Sequence, residues 1–176
     1  MDYWGLISQA KAWLISFGTP PSLGLILIMF AILRWAARYV AVIALLDFPG
    51  TLCHELAHIV TGFLTMAKPA GIRLWPERTD TGWNLGTASF RGIGILNAAP
   101  VALAPLLLYP LGAWLFEAFM RPAYQEANYW LWAGMGYVIA SCWNSGLPSR
   151  QDLKLGGLSI ILYALLAAAV AYTRLT

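Results

Sequence analysis

AVIALLDFPGTLCHELAHIVTGFLTM, residues 41–66, decides how the rest of the chain is read. The run is apolar enough for lipid, yet His54, Glu55 and His58 fall within five of its positions. A helix places residues i and i+4 on one face, so the two imidazoles point the same way. Ionisable groups are costly inside a bilayer and mark function there. Three of them in little more than one turn need a strong compensating partner, and a cation is one. Two imidazoles so spaced can bind one zinc ion, and Glu55 between them can take a proton from water. The chain has no other histidine. Shuffling its composition would produce this arrangement roughly twice in ten thousand trials, which sets chance aside.

The surroundings agree with a membrane. The chain has 176 residues, of which 60% are hydrophobic and 11% charged. Its length fits a single domain. Soluble domains carry about 25% charged residues, so this chain has too little charge to cover a water-facing surface. Apolar stretches at 23–46, 41–66, 92–119, 129–143 and 155–172 approach the roughly 20 residues that cross a bilayer as a helix. The expected fold is a membrane all-α bundle of about four to five spanning helices. Trp75, Trp83, Tyr124, Tyr129, Trp130, Trp143 and Tyr172 lie near the expected span ends, as interfacial aromatics do. Residues 1–20 lack the basic start of a cleavable signal and read as an interfacial helix. Cys53 and Cys142 sit in apolar segments and read as buried hydrophobes without a disulfide framework. The net charge of +3 is too small and dispersed for a nucleic-acid partner.

One region differs. Residues 68–92 carry Lys68, Arg73, Glu77, Arg78, Asp80 and Arg91 with several turn signals, and 71–75 and 86–90 partly alternate. Two short strands forming a β-hairpin are expected there. Beyond it, Pro100, Pro105 and Pro110 interrupt an apolar segment, which neighbouring helices make tolerable. Two features stay open. The stretch from Asp47 to Gly50 is either a turn between antiparallel helices or a proline kink. Arg34 and Arg38 either lie at an interface or are buried along a longer helix. Lys68, Arg73, Arg78, Arg91, Arg150 and Lys154 fall on one face; Arg121, Arg174 and at most Arg34 and Arg38 fall on the other. The positive-inside rule then puts the hairpin and the Asp152 loop on the cytoplasmic side of a multi-pass protein of the inner membrane.

A catalytic zinc site usually has three protein ligands. Asp47 shares a helical face with His54 but lies about 10.5 Å along the axis. Glu117 belongs at the opposite membrane face, and Asp80 in the hairpin. Asp152 remains, within the polar interruption at 145–154. Irregular backbone must dip into the membrane to deliver it, which is allowed where protein surrounds it.

An apolar helix with HExxH, a strand-rich insertion, a Gly/Pro-containing span and a late Asp together resemble the site-2 protease family of intramembrane zinc metallopeptidases. The resemblance covers roughly residues 41–154 and is strongest to small bacterial members, through Leu147-Pro-Ser-Arg-Gln-Asp152. It implies His54, His58 and Asp152 as zinc ligands, Glu55 as base and Asn144 as a holder of the substrate carbonyl. It also implies a membrane-protein or peptide substrate. Ala57 stands where the family has Gly, and Leu153 follows Asp152 where Gly is usual. The residues at 87–90 could accept an unwound substrate by strand addition, or the hairpin could only plug the cavity. The alternative function is a zinc-binding membrane protein without peptidase activity, acting as a binding or assembly partner. No polar stripe recurs across several spans, which argues against a channel.

Overall fold

The computed structural model describes residues 3–15, 18–79 and 82–175. Helix α1 (Tyr3–Ile15) precedes α2 (Thr19–Ala36), which opens with Pro20 and Pro21 in its first turn. The missing proline N–H groups cost nothing there. Arg34 and Arg38 are exposed at and just past the end of α2, so they are not buried along a longer helix. Next come α3 (Val40–Leu46) and α4 (Phe48–Leu64), bent by 72° at Asp47. Pro49 lies in the first turn of α4. The stretch from Asp47 to Gly50 is thus a kink rather than a turn between antiparallel helices. The Tyr137 hydroxyl donates to the Leu46 carbonyl at this bend.

The insertion is two successive ladders rather than one pair of strands. β1 (Pro69–Arg73) pairs antiparallel with β4 (Thr87–Phe90), with Ile72 opposite Ala88. β2 (Glu77–Thr79) pairs with β3 (Gly82–Asn84). Asp80, expected in this hairpin, lies outside the described residues. The Asn97 amide donates to the carbonyls of Gly92 and Thr65 at 2.9 and 3.3 Å, tying the hairpin exit to the end of α4.

A 28-residue helical rod follows, Ala98–Gln125. It consists of α5 (Ala98–Leu103), a 3-10 stretch (Ala104–Leu107), α6 (Leu108–Leu115), a π turn (Phe116–Met120) and α7 (Arg121–Gln125). Asn128 caps α8 (Tyr129–Ser145) by accepting the Leu131 N–H at 3.2 Å. The last helix, α9 (Arg150–Leu175), begins five residues before the apolar stretch expected from 155 and carries Asp152 in its first turn.

Helix α8 sits centrally, against α2, α4 and α6. Ile26, Leu33, Ile43, Phe116, Met120 and Ile139 form the main apolar core around it. Ser159 of α9 accepts the Ala99 N–H and donates to the Ile95 carbonyl, at 3.0 and 2.6 Å. This fastens the first half of α9 to α5. Leu158, Leu165, Leu166 and Val170 of α9 face outward. Among the described residues, Thr19–Ala36, Ala98–Gln125 and Arg150–Arg174 are long and apolar enough to cross a membrane, and the α3–α4 pair raises the number to four if the two count as one. α8, at 17 residues, is shorter than any of these.

Candidate metal centre

Helix α4 places His54 and His58 with their Nε2 atoms 3.2 Å apart. Asp152 comes from α9. Its Oδ2 lies 3.4 Å from His54 Nε2 and its Oδ1 3.2 Å from His58 Nε2. Zinc binds imidazole nitrogen and carboxylate oxygen at about 2.0–2.2 Å, and a tetrahedron of such bonds has edges of about 3.3 Å. The Nε2–Nε2 separation is close to that edge, and each carboxylate oxygen of Asp152 faces one of the two nitrogens.

The protons support the same reading. His54 Nδ1 lies 2.6 Å from the Ser145 carbonyl, and His58 Nδ1 lies 2.7 Å from the Val101 carbonyl. A carbonyl only accepts, so each Nδ1 carries a hydrogen, and each Nε2 faces inward, towards the other and towards Asp152. With both rings neutral, two Nε2 lone pairs and a carboxylate would converge, an arrangement that a divalent cation fits.

Both carbonyl acceptors are left over by the helices that bear them. Ser145 is the last residue of α8, and the final carbonyls of a helix have no partner within it. In a regular helix the Val101 carbonyl would take the N–H of residue 105, which is Pro105 and has none. The chain tightens there, Ala104 N–H supplies one bond to that carbonyl, and the second lone pair takes His58. Outer hydrogen bonds of this kind fix ring orientation and tautomer in metal sites.

Asp152 is oriented by a reciprocal cap. Ser149 N–H donates to Asp152 Oδ2 at 2.6 Å, and Asp152 N–H donates to Ser149 Oγ at 3.2 Å. This is a capping box, Ser-x-x-Asp, at the start of α9. It starts the helix and aims the carboxylate in one device.

Glu55, only 4% exposed, faces β4. The Ala88 N–H reaches its carboxylate, and Gly86 packs directly on it. A cavity of ≈ 320 Å³ brings His54, Glu55, His58 and Asp152 together with the β4 backbone from Thr87 to Phe90. A second, of ≈ 210 Å³, lies under Trp83, Leu85 and Leu147 and shares His54, Glu55, Gly86 and Ser149 with the first. No known protein family, curated protein or solved structure matches this chain.

Among the described residues, His54, His58 and Asp152 are the one such cluster of potential ligands, their atoms lying within 4.8 Å of one another. Glu117 pairs with Arg121 at 2.6 Å. Asn144, which the resemblance makes a holder of the substrate carbonyl, is bonded to Asp47. Its Nδ2 donates to Asp47 Oδ2 at 2.8 Å, and it lines neither cavity. The buried carboxylate of Asp47 offers a better acceptor than an open cavity does, so the amide turns inward. Ser149, Ser145, Val101 and Pro105 were not singled out for the site from sequence. Two of them left signals: Ser-x-x-Asp before an apolar run, and a proline four residues after a carbonyl.

Proposed function

We propose that the chain is a membrane-embedded zinc metallopeptidase of the site-2 protease type that hydrolyses a peptide bond of a membrane-associated protein or peptide. The observation that carries this reading is the meeting of two Nδ1-anchored imidazoles and a capped carboxylate within 3.2–3.4 Å, beside Glu55. His54, His58 and Asp152 would hold the ion. Zinc bound there supplies Lewis acidity, polarising a carbonyl and acidifying water.

The chain's own groups do the rest. Glu55 accepts a proton from the attacking water and returns it to the leaving amine. Its reach into both cavities suits the two halves of that task. The β4 backbone borders the larger cavity, where an unwound substrate segment finds main-chain partners. The site lies among α4, α5, α8, α9 and the hairpin, with Glu55 and His58 buried and His54 and Asp152 half-buried against the cavity. Under the same reading the outward apolar side chains of α2 and α9 face lipid, and the basic residues of the hairpin and of the start of α9, Arg150 and Lys154, lie on the cytoplasmic side.

The test is Glu55→Gln, which keeps the shape and removes the base. Zinc content measured by mass spectrometry should equal that of the wild type, and cleavage of a panel of fluorogenic single-span peptides in liposomes should stop. Undiminished cleavage by the variant rejects the mechanism. Stoichiometric zinc in the wild type without cleavage of any peptide favours the alternative, a zinc-binding partner or assembly protein.

A further inference from the structure

Asp47 is 2% exposed, and the hydrolytic reading gives it no task. It stands at the bend before α4, yet its side chain does not cap that helix. It turns to α8 instead. Its Oδ2 accepts from Asn144 Nδ2 and from Ser145 Oγ, both at 2.8 Å. Ser145 is the residue whose carbonyl receives the His54 Nδ1–H. Helices α4 and α8 also meet backbone to backbone here. A Cβ on Gly50 would run into the Ser141 carbonyl and come within 2.6 Å of Asp47 Oδ1.

We propose that Asp47 is a positioning residue that sets the tautomer and aim of His54 through the end of α8. The inference rests on the metal-centre reading. Helix ends fray, and Ser145 is such an end. A buried acceptor holding both Asn144 and Ser145 stops the fraying and keeps the Ser145 carbonyl opposite Nδ1. Without it the ring loses its acceptor and populates both tautomers, one of which presents a proton where the metal belongs.

The task needs an acceptor, not a charge. An asparagine at position 47 offers one carbonyl oxygen with two lone pairs, enough for both donors. Its NH₂ would take the place of Asp47 Oδ1, which shares the space around Gly50 with the Ser141 carbonyl.

The experiment uses the full chain in detergent micelles, labelled with ¹⁵N at its two histidines and assigned with His58→Gln. Imidazole ¹⁵N shifts of the metal-free protein, followed up in pH until the rings are neutral, report the tautomers, and competition with a chromophoric chelator reports zinc affinity. Wild type and Asp47→Asn should hold His54 as the Nδ1–H form, with affinities within about threefold of each other. Asp47→Ala and Ser145→Ala should mix the tautomers at His54 and leave His58 unchanged. Their zinc binding should weaken by about 10–100-fold, the usual cost of losing an outer partner. A wild-type tautomer and affinity in Asp47→Ala overturns the inference, as does an Asp47→Asn variant as weak as Asp47→Ala. If Asp47→Ala does not fold, Ser145→Ala against Asp47→Asn decides on the same criteria. A wild type that fixes His54 yet binds no zinc sinks the metallopeptidase reading and leaves this one standing. Zinc binding with unperturbed variants sinks this one alone.

Discussion

Gly86→Ala would set a Cβ 2.7 Å from Glu55 Oε1, 2.8 Å from its Cγ and 3.0 Å from Thr51 Cγ2. Ordinary van der Waals contact begins at 3.4 Å, so the carboxylate has to retreat by about 0.6–0.7 Å, and a misplacement of about 1 Å costs on the order of 10²-fold in rate. Turning the terminal carboxylate does not relieve the clash, because the Cγ is crowded as well. Gly86 does not use the left-handed backbone region, so the added methyl acts through space alone. The expected loss is about 10–100-fold in kcat, or about 1.4–2.7 kcal/mol of barrier. His54, His58 and Asp152 are untouched, so zinc affinity should stay as in the wild type. The assay is turnover of whichever fluorogenic single-span peptide the wild type cleaves, run beside a zinc competition titration. Full turnover in Gly86→Ala would refute the placement of Glu55 as the base under β4. Loss of zinc with turnover falling in proportion would show that the hairpin acts on the ligands instead.

Ser149→Ala removes half of the capping box. It should cost about 1 kcal/mol of stability and weaken zinc binding by about 10–100-fold, read by thermal unfolding and chelator competition; unchanged affinity would mean that Asp152 is aimed by something else. Tyr137→Phe deletes the hydroxyl that meets the Leu46 carbonyl at the helix bend. Interhelical hydrogen bonds in membranes are worth about 0.6–2 kcal/mol, so unfolding in mixed micelles should shift by that amount with zinc affinity retained.

The local half of the site was legible in the sequence because it is periodic. His54 and His58 share a face at any helix, and four residues is a spacing that needs no tertiary knowledge. Asp152 could be reached by elimination among four aspartates and four glutamates, but its delivery could not. Irregular backbone was expected just before Asp152 and is found at 146–149; the capping box that then makes Asp152 part of a helix's first turn was not foreseen. Asn144 and Asp47 show where one sequence stops. Asp47 is too far along α4 to share an ion with His54. What it does instead depends on a helix 97 positions later, and no local pattern encodes that meeting. The alternating runs at 71–75 and 86–90 overlap the strands at 69–73 and 87–90, the first displaced by two residues. The inner ladder was not legible, since three-residue strands carry too little pattern to be seen.

The two nitrogens and the carboxylate enter the centre from opposite ends of synthesis, at positions 54, 58 and 152. Joining points nearly a hundred residues apart costs about 4 kcal/mol of chain entropy, and every intervening element must already be in place for them to meet. During translation α4 exists long before α9 does. A chain that has only reached the hairpin owns two imidazoles and no third arm, so it grips a cation poorly. If a metal is held there, full occupancy would wait on the arrival of the last helix, and the ion would work as a clasp fastened last, after the whole molecule has been wound.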